Sequence, residues 1–141
     1  MSSSFTISRI LPFPRSLVQK AWTTPEFLAT WWGPAGFSND FEICNIEPDG
    51  DWIFTMIAPD GTAYANVSKW IEVKDDHIAL EHVNAPHFFL RADFEDLGES
   101  TKIMWSMTFD SPEILETLRP IIEPANEENF DRLEACLNSM Q

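Results

Sequence analysis

Basic side chains are scarce in this sequence: nine Lys and Arg stand against 23 Asp and Glu, a net charge of −14. So acidic a chain repels phosphate backbones and anionic lipid surfaces, and its few cations are scattered rather than clustered. Nucleic acid is therefore excluded as a partner class. Cysteine is scarcer still. Cys44 and Cys136 are the only two, neither lies in a C-x-x-C pair, and both read as reduced packing residues. No apolar run approaches the ~18 residues of a membrane-spanning helix, so no span is expected. Met1-Ser2-Ser3-Ser4 lacks the basic and apolar regions of a secretory leader, which makes the cytoplasm the expected compartment. Repeats, low-complexity stretches and linker composition are missing too, and residues 1–141 read as a single domain.

Signatures of catalysis are equally thin. There is no G-x-S-x-G, no phosphate-binding loop and no dinucleotide fingerprint. The three histidines, His77, His82 and His87, are evenly spaced, which invites a metal reading. Odd offsets along a strand point to opposite faces, however, and no H-x-H, H-E-x-x-H or Cys–His pair is present. Neither a metal nor a cofactor is expected.

Aromatic side chains are what the sequence does have: six Trp and eleven Phe, against a single Tyr. Phe5 to Ile10 alternates apolar and polar residues, as a half-buried strand does. Leu17, Val18, Ala21 and Trp22 recur at helical spacing after Pro14, read as a first helical residue. Thr24 and Pro25 form a cap and first turn for a second short helix. Its apolar face ends in Trp31-Trp32, and Gly33-Pro34 stops it. From Phe37 the period becomes two, predicting strands near 38–46, 51–58, 63–73, 77–83, 87–96 and 101–109. Turn residues separate them, among them Pro48-Asp49-Gly50 and Pro59-Asp60-Gly61. Such short connections imply antiparallel hairpins. Ser111-Pro112-Glu113 starts another helix. Pro120 and Pro124, costly inside a helix, predict a split into a short helix near 112–118 and a main one near 125–139. Phe130, Leu133, Leu137 and Met140 stripe the latter, and Glu128 and Arg132 are spaced for an i, i+4 pair. The class is α+β: a sheet with a helix laid across it.

Particular residues in that order resemble the START-like, or SRPBCC, superfamily. Within it they resemble the branch named for the activator of the heat-shock chaperone ATPase. The matching pieces are Val18-Gln19-Lys20-Ala21-Trp22-Thr23-Thr24-Pro25, Trp31-Trp32-Gly33-Pro34, Pro59-Asp60-Gly61-Thr62, Gly98 to Thr101, and Asn129-Phe130-Asp131-Arg132-Leu133. The resemblance covers about residues 5–139. It implies a seven-stranded curved antiparallel sheet gripping a long C-terminal helix, with two short helices between strands 1 and 2. Between sheet and helix it implies an apolar cavity. Two features depart from the branch: Asp49-Gly50-Asp51 where Gly-Gly is frequent, and the prolines of the long helix.

Trp52, Phe54 and Met56 share one strand face, as do Ile103, Trp105 and Met107. Given the implied fold, the expected cavity set is Trp31, Trp32, Trp52, Phe54, Met56, Tyr64, His82, Trp105, Met107, Phe130, Leu133 and Leu137. The same aromatics also suffice to fill the interior as ordinary core. His82 follows Ile78 and Leu80 at period two and so faces inward with them. It reads either as a core histidine bonded to Tyr64 or Asn66, or as a group that meets a ligand or moves a proton. Three functions are compatible with these residues. One is binding of a small hydrophobic or aromatic molecule. Another is a cyclase- or aromatase-type enzyme using His82 and Tyr64. The last is co-regulation of a chaperone partner. A homodimer suits all three.

Overall fold

The computed structural model describes residues 2–141; Met1, part of the segment read for a leader, lies outside them. Strand β1 (Ser4–Leu11) is followed by helices α1 (Arg15–Thr23) and α2 (Pro25–Trp31). Six strands follow in succession: β2 (Ser38–Cys44), β3 (Asp51–Ile57), β4 (Ala63–Val73), β5 (His77–His82), β6 (Phe88–Asp96) and β7 (Thr101–Phe109). Helix α3 (Pro112–Ser139) closes the chain. The sheet order is β1-β7-β6-β5-β4-β3-β2, with every pairing antiparallel. β2 to β7 thus form a meander, and α1 and α2 carry the chain from one sheet edge to the other. Register shifts between Phe41 and Ile43 and between Trp70 and Glu72 add bulges, which bend and twist a sheet.

Helix α3 differs from the expected split. It runs unbroken from Pro112 to Ser139 with both prolines inside. Pro120 and Pro124 lie four residues apart on one exposed face. The two carbonyls that lose an N–H partner therefore turn toward water, which hydrates them, and the penalty shrinks. The start is as the sequence implies: the Ser111 hydroxyl accepts from the Ile114 N–H at 3.2 Å, with Pro112 in the first turn. α1 and α2 differ in detail. Pro14 caps α1 rather than opening it, and Thr24 sits at the α2 cap without a side-chain hydrogen bond.

The core is aromatic. All six Trp are buried, and their rings form one contiguous chain. Trp70 lies 4.8 Å from Trp52, Trp52 4.9 Å from Trp32, and Trp32 5.5 Å from Trp105. Trp105 lies 5.5 Å from Trp22, and Trp22 4.9 Å from Trp31. Such tilted and offset pairs suit the ring quadrupole. Helix α3 rests on this core through Leu115, Phe130, Leu133 and Leu137, all fully buried. Arg9 of β1 ties it down from the side, donating to Asp131 at 2.8 Å and Glu127 at 3.1 Å while stacking over the Phe130 ring. No helix among the described residues is long and apolar enough to cross a membrane.

Candidate functional site

Helix α3 packs on β1, β7, α1 and α2. That leaves the inner face of β3 to β6 uncovered beneath the first half of the helix. The space there is a cavity of about 660 Å³, within the roughly 300–1,000 Å³ of pockets that enclose small molecules. Phe54 and Met56 of β3, Leu80 of β5, Phe88 and Leu90 of β6, and Trp105 and Met107 of β7 form its apolar floor. Trp32, Gly33, Pro34 and Phe37 form one wall, and Ile121, Ala125, Asn126 and Asn129 of α3 the roof. Tyr64, 51% exposed, and Ile121, 66% exposed, stand on the rim.

The Trp32–Phe37 wall is fixed from the helix. Arg132 Nη1 donates to the carbonyls of Trp32, Gly33 and Pro34 at 2.8–3.0 Å. Its Nη2 donates to those of Thr30 and Phe37 at 2.8 and 2.9 Å. Asn129 Nδ2 donates to the Trp31 carbonyl at 2.7 Å, and its Oδ1 accepts from the Gly33 N–H at 3.2 Å. The carbonyl end of α2 carries partial negative charge, so a guanidinium fits there. The expected Glu128–Arg132 pair is replaced: Glu128 accepts instead from the Ala35 N–H. Gly33 is needed in this turn. Its φ is +96°, and a Cβ would stand 2.6 Å from the Met56 methyl.

Polar groups in the cavity are few. Asn66 Nδ2 donates to the Tyr64 carbonyl at 3.0 Å, which turns its Oδ1 toward His82 Nε2 at 2.8 Å. The other ring nitrogen, Nδ1, lies 2.8 Å from the Pro86 carbonyl, and the ring stacks on Phe88 at 4.7 Å. Burial pushes the His82 pKa down, against the opposing pull of backbone groups of Pro86 and Asn84. A neutral imidazole carries one N–H, so only one of its two acceptor neighbours receives a proton. Ser68, paired with His82 across β4 and β5, also lines the floor. Asn126 faces it from the roof, its Nδ2 donating only to the Met107 sulfur at 3.3 Å.

Of the residues expected to line the cavity, Trp32, Phe54, Met56, Tyr64, His82, Trp105 and Met107 do so. Trp31, Trp52, Phe130, Leu133 and Leu137 do not; all five are fully buried packing residues of the closed half of the core. The stripe on α3 runs under the fixed, packed end of the helix, while the open space lies one to three turns earlier. Tyr64 and His82 share the cavity, but no hydrogen bond joins their side chains among the described residues: His82 meets Asn66 and Pro86. No cluster of three metal-ligating side chains occurs among the described residues. Both cysteines are free thiols, and burial raises the Cys44 pKa to about 11.

Residues 12–138 match the family model described as Activator of Hsp90 ATPase homolog 1-like protein. The chain belongs to this family. Solved structures share the fold. A protein from Arthrobacter aurescens superposes with a TM-score of 0.90 at 21% identity, over 98% of this chain and 87% of that one. One from Nitrosomonas europaea gives 0.89 at 18%, over 97% and 95%. The AHSA1 protein from Silicibacter pomeroyi gives 0.80 at 15%, over 98% and 99%. At these identities the likeness establishes the fold alone. No curated protein sequence matches the chain.

Proposed function

We propose that this protein binds a small hydrophobic or aromatic molecule in the cavity between the sheet and α3, as a carrier or sensor in the cytoplasm. The observation that carries this reading is a 660 Å³ space with an apolar floor and a rim open to solvent. Apolar clefts with a few placed polar groups are the usual form of small-molecule sites.

Native mass spectrometry of freshly purified protein, with displacement of an apolar dye, tests the reading. The expected result is dye binding by the wild type and its loss in Ala125→Phe, which fills the roof, with the melting temperature retained. An extra mass released on denaturation would give the ligand directly. Failure of the wild type to take up any dye, with no extra mass, overturns the reading.

A second reading follows from the family description, which names Hsp90. The outer face of α3 carries exposed Glu113, Glu116, Glu123, Glu127, Glu128 and Asp131, a surface suited to a basic patch on a chaperone. Such an association weakens as salt rises. A co-sedimentation assay that finds no association, or one indifferent to salt, removes this reading.

A further inference from the structure

The polar atoms left over inside the cavity carry information about its occupant. Ser68 is only 2% exposed, yet its hydroxyl has no hydrogen-bond partner among the described residues while it faces the cavity. Asn126, 9% exposed, spends one amide hydrogen on a thioether, a weak acceptor. Its Oδ1 has no partner among the described residues. Both atoms open onto the cavity, where a ligand or water can pair with them. These two lie on opposite walls of one space, Ser68 on the sheet and Asn126 on the helix.

Charge is missing from the same lining. No Asp, Glu, Lys or Arg contributes to it. The closest guanidinium, Arg132, has both terminal nitrogens committed to backbone carbonyls of the wall. His82, held below its ordinary pKa by burial, is neutral at neutral pH. A carboxylate or phosphate entering this space would shed its water and meet no counter-charge, inside a chain of net charge −14. An ammonium would meet no carboxylate.

We infer that the cavity selects an uncharged, oxygen-bearing apolar molecule. A hydroxyl or ketone oxygen on it bonds Ser68, and Asn126 receives or gives a second hydrogen bond from the roof. This deepens the ligand-binding reading above and rests on it. Asn66 and His82 already face one another and the backbone, so they shape the floor beside Ser68, whose hydroxyl has no such neighbour.

Titration calorimetry with phenanthrene, 9-phenanthrol and phenanthrene-9-carboxylate at neutral pH tests the inference, because the three share one ring system and differ in the polar group. The phenol is expected to bind about tenfold tighter than the hydrocarbon, the worth of one well-made buried hydrogen bond. It is expected to bind roughly a hundredfold tighter than the carboxylate, which buries an unpaired charge. Ser68→Ala and Asn126→Leu should each pull the phenol-to-hydrocarbon ratio toward one. Equal binding of all three, or tightest binding of the carboxylate, overturns this inference and leaves the cavity reading standing. An unchanged ratio in both variants removes Ser68 and Asn126 as anchors and overturns it as well. Binding of none of the three, with no dye uptake, overturns both.

Discussion

The two halves of α3 cover the same sheet and do different things. From Asn129 to Leu137 the helix is pressed onto Trp105 and the short helices, with Phe130, Leu133 and Leu137 fully buried. From Pro120 to Asn126 it carries two exposed prolines, a small Ala125 and an outward Ile121. Ile122 packs against the core and Asn126 touches the Met107 sulfur, but Ile121 and Ala125 leave the space between helix and floor open. The difference teaches that openness here comes from which side chains one helix lowers, with the sheet beneath continuous in both halves. It also separates residues that hold the fold from residues that meet a ligand.

That separation breaks most visibly in the packed half. Phe130→Ala removes a fully buried ring and is expected to cost about 3–5 kcal/mol in denaturant unfolding. Met56→Ala, beside space already empty, is expected to cost no more than about 1 kcal/mol. Similar losses in the two would show the halves to be equally packed. Arg132→Ala should follow at about 2–3 kcal/mol, since it strands partly buried carbonyls along the wall. Arg132→Lys should recover only part, because an ammonium cannot fork across both sets of carbonyls. Smaller and opposite in sign, Pro120→Ala and Pro124→Ala restore backbone hydrogen bonds and should each raise stability on the order of 1 kcal/mol. No gain would mean that the prolines already stiffen the unfolded chain by as much.

The smallest contrast concerns two histidines, His82 in the cavity lining and His87 outside it. His82 has its pKa lowered, chiefly by burial. Its contribution to stability is therefore present above the ordinary histidine pKa and is lost as pH falls through the depressed one. His87 sits between Glu81 at 2.7 Å and Asp110 at 2.8 Å, and these carboxylates raise its pKa. Its contribution is complete below the ordinary pKa and is lost as pH rises through the raised one. In melts against pH, His87→Asn should therefore lose most relative to wild type in acid, and His82→Asn in base. Parallel profiles for the two variants would contradict the opposed assignments.

The sheet was legible because its signal is local: period-two alternation and explicit turns place every strand to within a residue or two. Helix α3 is less legible, because two prolines each weighed alone predict a break. Their four-residue spacing puts both on one face, and the stripe of Phe130, Leu133 and Leu137 shows that face to be the wet one. A shared strand or helix face marks the cavity set as inward-facing, but packed core and open lining share that face, so the pattern gathers both together. Ser68 and Asn66 carried a usable signal, since they alternate with Trp70 on β4 and share its inward face. Asn126 likewise continues the stripe of Phe130 and Leu133 toward the N-terminus. The Arg132 contacts had no such trace. They join residues about a hundred positions apart and oppose the i, i+4 pairing that its own helix suggests.

The unbroken run of indoles has an optical consequence. Excitation absorbed by any one of the six tryptophans passes readily among rings this close, so they emit as a single pooled source. Trp32 and Trp105, in the middle of that run, line the cavity. A flat molecule seated against them would drain light gathered by all six, and the protein's own ultraviolet emission would gauge whether its cavity is occupied.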